Sequence, residues 1–259
     1  MDTTFVLIAL LSTYKEGPLA HAAITSALKA TPHVYVYDGP AGMDADGPET
    51  DYSRWDGLIT LKQGRWKTDA HKRTDMIKVA RKFRPQPVWS VWIDGDEVLC
   101  NAEYLTDWVQ MWLWQDEADQ AQAPDGFSPR LGWPIRCVEL DGSVALTRGR
   151  VMRADLIDSY SVSSSVFKDA MGNTHAEGAV IERFSHWWEP RAPYMLGKVS
   201  GVSDDLEHDR LMLPPPLPCE PFIMHRSSLR HPARRGSRLH TQEPREIQKQ
   251  KRLLGLEGT

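Results

Sequence analysis

Val88-Trp89-Ser90-Val91-Trp92-Ile93-Asp94-Gly95-Asp96-Glu97 decides how this chain is read. Six residues with one small polar exception form an apolar run that suits a strand buried on both faces. Three acids then arrive within four positions. Burying that much negative charge is costly unless something pairs with it, and a divalent cation is a common partner. Carboxylates one residue apart can grip a hard metal together, and the glycine between them lets a phosphate approach the backbone. The plainer reading of D-G-D-E is a polar strand-to-helix turn with an acid capping the next helix.

The sequence on either side favours the metal reading. Phe5-Val6-Leu7-Ile8-Ala9-Leu10 is a second continuous apolar run, followed by the turn Ser12-Thr13-Tyr14-Lys15-Glu16-Gly17-Pro18. Pro18 suits a helix start, and Leu19, Ala23, Ile24 and Leu28 recur at helical spacing. His33-Val34-Tyr35-Val36-Tyr37 reads as the next strand and ends at Asp38-Gly39-Pro40. Strand, helix, strand in that order opens an α/β domain with a parallel sheet. Residues 39–56 are rich in Gly, Pro and Asp and read as a surface loop, with Asp44-Ala45-Asp46 solvated inside it. Leu58-Ile59-Thr60-Leu61 predicts a short strand. Residues 68–83 predict a helix with Met76, Ile77, Ala80 and Phe83 inward.

Beyond the acids, Leu105, Trp108, Val109, Trp112 and Leu113 make an apolar stripe at helical spacing, better suited to a core than to a binding face. Residues 115–124 read as a polar connection. From Phe127 to Val151 short runs broken by Gly and Pro, such as Leu131–Arg136 and Val144–Leu146, predict antiparallel strands or hairpins. Residues 213–221 are Pro-rich and read as irregular or extended. The end of the chain carries Arg226, Arg230, Arg234, Arg235, Arg238, Arg245, Lys249, Lys251 and Arg252 against few acids, a basic segment on a chain whose net charge is −4.

The totals narrow the class. With 259 residues the chain can bury one large core, and 41% hydrophobic with 25% charged residues is ordinary for a soluble globular protein. Cys100, Cys137 and Cys219 are odd in number and widely spaced, which predicts reduced thiols in a cytoplasmic protein and argues against a zinc cluster. The apolar run at Phe5–Leu11 is too short to span a membrane, and Asp2 with no preceding base does not suit a signal peptide. No membrane partner is expected. Ten tryptophans are many, and an exposed share of them is placed to stack on sugars or bases.

The order of features resembles a glycosyltransferase of the GT-A fold, closest in pattern to the large family 2-like group. The likeness covers roughly the first hundred residues and then thins to residues 175–178 and 225; its best motif is V-W-S-V-W-I-D-G-D-E-V-L. It implies an α/β, GT-A-like sandwich with a mainly parallel central sheet flanked by helices, a small antiparallel region and a C-terminal tail. The implied division is residues 1–224 for nucleotide sugar and acceptor, and residues 225–259 as a basic segment opening with a metal-ligand histidine. Thr13, Tyr14 and Glu16 would lie where the first strand meets the nucleotide, Tyr14 stacking on the base and Glu16 orienting the loop. Asp38 would bond base or ribose. Lys72 and Arg73 would supply the basic nucleotide contact, Asp94 would face ribose or metal, and Asp96 with His225 would ligate Mn²⁺ or Mg²⁺.

The activity so implied is transfer of a sugar from a nucleotide diphosphate sugar, UDP by preference, to an acceptor hydroxyl. Glu177 in T-H-A-E-G is the first candidate for the base that deprotonates the acceptor, with Asp169 second and His175 helping to position it. The family's base motif is not cleanly reproduced, so retaining and inverting outcomes both stay open. The Arg-rich segment brings a hydroxymethylated base in DNA among the acceptors, beside proteins, small glycans and metabolites. Two alternatives stand: a non-catalytic nucleic-acid or carbohydrate binder on the same fold, and a sugar-phosphate nucleotidyltransferase. The second would show a Gly-rich, Arg-containing loop after the first strand, which S-T-Y-K-E-G lacks. Neither G-x-x-x-x-G-K-[ST] nor G-x-G-x-x-G occurs where a phosphate loop would need it.

Overall fold

The computed structural model describes residues 5–42, 47–122, 131–139, 144–160, 166–169, 171–172, 174–176, 216 and 218–226. The first apolar run is strand β1 (Val6–Thr13), followed by helix α1 (Pro18–Ala30) and strand β2 (Val34–Asp38). An edge strand β3 (Thr60–Gln63) leads into helix α2 (Asp69–Ile77) and then strand β4 (Val88–Asp94). β3, β2, β1 and β4 lie side by side, all parallel, with Ala9 opposite Val34 and Leu11 opposite Ile93. Parallel strands must be covered on both faces, which is why β1 and β4 are apolar at nearly every position.

Each face has its own core. Leu7, Ala9, Leu11, Trp89, Val91 and Ile93 point towards α1 and α3 (Leu105–Gln122), while Ile8, Leu10, Val88 and Trp92 point towards α2. The α3 stripe is core as expected: Leu105, Val109, Trp112 and Leu113 are buried, and Trp112 stacks on Trp133 with ring centroids 5.0 Å apart. That helix runs to Gln122, through the segment expected to be a connection, because Ala, Gln and Glu are strong helix formers whatever their polarity. α2 opens on Thr68, whose side chain accepts a hydrogen bond from His71 N. Past Ile77 the chain tightens into 3-10 turns over Lys78–Phe83, ahead of Arg84-Pro85, where an α-helix cannot continue.

The remaining strands complete a sheet of eight. β5 (Glu97–Cys100) leaves directly from the acids, so D-G-D-E is a turn between two strands and the helix comes later. β6 (Gly132–Glu139) and β7 (Val144–Arg153) pair antiparallel as expected. They join the main sheet through β7 on β4, however, and do not stand apart from it. β8 (Ile157–Tyr160), β9 (Val166–Asp169) and β10 (Thr174–Ala176) form the separate small antiparallel sheet.

β11 (Phe222–His225) slots between β6 and β5 and finishes the order β3-β2-β1-β4-β7-β6-β11-β5. The fold is therefore mixed α/β, with a mainly parallel central sheet between helices and a small second sheet, consistent with the expected GT-A-like sandwich. The boundary expected before His225 falls inside β11, so the residues counted with the basic segment begin within the sheet.

Two other expectations meet the structure here. Cys100, Cys137 and Cys219 are free thiols. Of the described tryptophans, Trp55, Trp66, Trp89, Trp92, Trp112 and Trp133 are buried and Trp114 is exposed, so their main service is to the core. Asp44-Ala45-Asp46 lies outside the described residues.

Candidate active site

In a parallel sheet, ligands settle where neighbouring crossovers leave in opposite directions, beyond the carboxyl ends of the strands. β1 is such a point, since its own crossover leads to β2 on one side while β4 flanks it on the other. The residues gathered there are Thr13, Asp38 and Asp94, the last residues of β1, β2 and β4. Thr13 pairs in register with Asp38, and Ser12 with Asp94. Chain geometry alone thus unites three of the expected site residues.

Lys72 ties two of these strand ends together. The residue is 2% exposed, and its ammonium donates to Thr13 O at 3.0 Å and to Gly39 O at 2.9 Å, above the face of Trp66. The expected nucleotide contact is thus placed on the backbone of β1 and β2. Gly39 has φ +146, and a Cβ there would stand 1.7 Å from Gly64 O, so only glycine fits the turn that follows Asp38. Arg73, the next residue of α2, lies over the rings of Trp92 and Tyr160, 3.3 Å from Asp69.

Beside this junction lies a knot of polar groups. Thr13 Oγ1, Asp38 Oδ1 and the Tyr52 hydroxyl are buried together, near enough to influence one another but without a well-directed hydrogen bond among them. Gln63 Nε2 donates to the other Asp38 oxygen at 3.3 Å. Burial pushes the Asp38 carboxyl above its ordinary value, and Gln63 and Lys72 offset only part of that. Tyr52 was not foreseen. It comes from the loop after β2, and nothing in its spacing ties it to Asp38.

The acidic turn divides its members. Asp96 is wholly buried, with Oδ2 3.2 Å from His225 Nε2. His225 is carried there as the last residue of β11, and the next amide, Arg226 N, donates to Asp96 O at 3.0 Å. Arg226 also donates from Nη2 to Leu19 O, which fastens the start of the basic segment to α1. Asp94 instead meets Arg150, a β7 residue, at 3.2 Å from Oδ2. The same guanidinium nitrogen reaches Glu97 Oε1 at 2.5 Å, while Asp94 N donates to Glu97 Oε2 at 2.8 Å. Glu97 is 2% exposed; burial pushes its carboxyl up to about 7, against the pull of Arg150.

Gly95 also makes room for the end of β1 and the loop after it. A Cβ there would lie 2.6 Å from Glu16 Cγ and 2.7 Å from Thr13 Oγ1, so the space over its backbone is filled by the loop after β1. Glu16 is buried in that contact and adds negative potential near Arg226. Tyr14 is half-buried, with the Lys15 ammonium 5.4 Å from its ring centroid.

The residues fit a divalent cation in type. Two cis ligands of an octahedral ion, each roughly 2.1 Å from it, stand about 3 Å apart, close to the 3.2 Å between Asp96 Oδ2 and His225 Nε2. A carboxylate with an imidazole suits Mn²⁺ somewhat better than Mg²⁺. Among the described residues no three His, Cys, Asp or Glu side chains converge as a metal cluster, so further ligands would have to come from phosphate or water.

The two candidates for the base are placed differently. Asp169 ends β9, where its carboxylate accepts from Met171 N at 2.9 Å and its carbonyl from Gly172 N at 3.0 Å, an ordinary turn. Glu177 lies outside the described residues, as does the basic segment beyond Arg226. Among the described residues no helix is long and apolar enough to cross a membrane.

No protein-family model matches the chain, and no curated protein sequence does either. Among solved structures it is similar to S. aureus TarS, at 15% identity and a TM-score of 0.30 over 52% of this chain and 21% of that one. The structure of S. aureus TarS 1-349 aligns at 14% identity and a TM-score of 0.29, over 59% of this chain and 48% of that one. The chain thus spans less than half the length of either structure.

Proposed function

We propose that this protein is a metal-dependent glycosyltransferase that moves a sugar from a nucleotide diphosphate sugar, a UDP-sugar by preference, to an acceptor hydroxyl. The observation that carries the reading is the pairing of wholly buried Asp96 with His225 beside the ends of β1, β2 and β4. A strand end rich in unsatisfied oxygens and a two-donor cation site side by side suit a ligand with a polar base at one end and a diphosphate at the other.

The roles follow from position. Thr13, Asp38 and Tyr52 would take the donor and acceptor atoms of base and ribose, Tyr14 would lie against the base, and Glu16 would hold the loop. Asp94 would face the ribose side of the diphosphate, and Arg73 would add positive potential behind it. Asp96 and His225 would hold Mn²⁺ or Mg²⁺, which, when bound, offsets the charge that grows on the departing diphosphate. As the acceptor oxygen bonds to the anomeric carbon, the bond from that carbon to the diphosphate oxygen breaks, and a carboxylate takes the acceptor's proton. Glu177 is the first candidate for that carboxylate and Asp169 the second.

A hydroxymethylated base in DNA is the acceptor proposed first. Its support is the run of arginines and lysines after Arg226, which suits a phosphate backbone.

Thermal stabilisation by a panel of sugar nucleotides with Mn²⁺ tests the donor, and release of the nucleoside diphosphate with each acceptor tests the transfer. Asp96→Ala should lower turnover by about 10²–10³-fold. Retained turnover in that variant would sink the metal assignment. Stabilisation without any turnover would make the protein a binder, and release of inorganic pyrophosphate from a nucleoside triphosphate and a sugar 1-phosphate would make it a nucleotidyltransferase.

A further inference from the structure

Arg150 belongs to the acidic turn although it enters from a distant strand. β7 runs antiparallel to β4 with Val151 opposite Val91 and Met152 opposite Ser90, so Arg150 continues the pairing towards the end of β4. Side chains alternate along a strand, which puts Arg150 on the face of Met152 and Trp92, the face towards which Asp94 also points. Its side chain is 13% exposed and touches two carboxylates, Asp94 and Glu97. Glu97 returns to the main-chain N–H of Asp94. The three residues close a ring in which one guanidinium is shared between two acids.

We propose that Arg150 is a built-in counter-cation that withholds Asp94 from metal coordination. A divalent ion at this site takes Asp96 and His225, while the first acid of the D-x-D is held for the nucleotide. The inference rests on the cation site proposed above. Two observations carry it. For Asp94 to ligate a metal, it would have to leave a charge-assisted bond in a partly buried setting, where such bonds are strong. And Asp94, Asp96, Glu97 and His225, near as they are in the fold, do not converge as three donors on one point. Arginine suits the task because the two N–H bonds of its Nη2 can serve one carboxylate each and its charge is not lost on burial.

The consequence is counterintuitive: deleting a residue that does not touch the ion should strengthen ion binding. Mn²⁺ alone is the probe, titrated into the full chain and followed by the electron paramagnetic resonance signal of the free ion. Asp96→Asn should weaken binding at least about tenfold, in the range seen when metal surroundings are altered, whereas Asp94→Asn should stay within about threefold of the unaltered protein. Arg150→Gln releases Asp94 and should tighten Mn²⁺ binding by about tenfold. Adding Asp94→Asn to Arg150→Gln should erase that gain.

An Asp94→Asn loss as large as that of Asp96→Asn overturns the proposal, and so does an Arg150→Gln variant that folds and binds no tighter. If Arg150→Gln does not fold, the Asp94→Asn comparison decides alone. No sugar nucleotide is present, so the result is independent of the donor. Failure of the unaltered chain and every variant to bind Mn²⁺ would overturn the cation site itself. Binding that needs both acids equally would overturn only the role given to Arg150.

Discussion

The two halves of the central sheet differ in how their strands meet. In the parallel half, β1 reaches β2 through α1 and β3 reaches β4 through α2, two strand–helix–strand units each made of neighbouring sequence. In the other half β7, β6, β11 and β5 interleave, with β11 arriving from residues 222–225 to lie between residues 132–139 and 97–100. The first half supplies Thr13, Asp38 and Asp94 at its strand ends; the second supplies Arg150 and His225. The candidate site is thus a seam. Its nucleotide side is built locally and its cation side is built by long-range pairing, so the two sides should respond to mutation separately.

The largest effect expected is the one that cannot respect the seam. Trp89 is completely buried near the start of β4, the strand on which both halves meet, with Leu7 of β1 and Arg153 of β7 on either side. Trp89→Ala should cost about 3–5 kcal/mol, the usual penalty for emptying so large a site. Chemical denaturation should show it, and sugar-nucleotide binding and Mn²⁺ binding should fail together as the fold loosens. If either survived intact while the other vanished, β4 would not be the common support.

Lys72→Met should separate the halves. Its ammonium serves Thr13 O and Gly39 O, both in the parallel half. Losing two buried hydrogen bonds from a charged donor should cost about 2–3 kcal/mol of stability. It should also free the ends of β1 and β2, so that thermal stabilisation by sugar nucleotide shrinks while Mn²⁺ affinity, measured without nucleotide, holds. A matching fall in Mn²⁺ affinity would show that the cation side leans on the nucleotide side after all.

The same seam divides what could be read in the sequence. Apolar runs with Pro18 and Asp38-Gly39 between them announce β1, α1 and β2, because each signal lies within a few residues of the element it forms. Asp38 and Asp94 each close an apolar run, which places both at strand ends, on either side of β1. The meeting of Asp96 with His225 was reachable only through a family resemblance, since no local pattern fixes which strand β11 will join. Arg150 and Tyr52 were not reachable at all: each is an ordinary polar residue until a partner from elsewhere stands beside it. The backbone contacts of Lys72 were not legible either, because spacing on a helix says which face a side chain takes but not whether backbone carbonyls wait there.

Asp38→Asn should give the smallest change, and one of opposite sign to the others. Burial raises the carboxyl above its ordinary value of 3.8 in the folded state, so the fold favours the protonated form. As pH rises from that ordinary value through the raised one, the unfolded chain gives up the proton first and stability falls. The charged carboxylate is then a burden at neutral pH that the amide does not carry. Asn at this position should raise Tm at pH 7 by about 2–4 °C, roughly 1 kcal/mol for a chain of this length, and the gain should fade as pH falls to 4 and below. Sugar-nucleotide stabilisation should weaken at the same time, since an oxygen acceptor has been exchanged in part for a donor, while Mn²⁺ affinity should stay as it was. A carboxylate retained at a cost to the fold is best explained by a ligand that needs it. Unchanged nucleotide binding in the stabilised variant would take Asp38 out of the site and move the nucleotide side of the seam elsewhere.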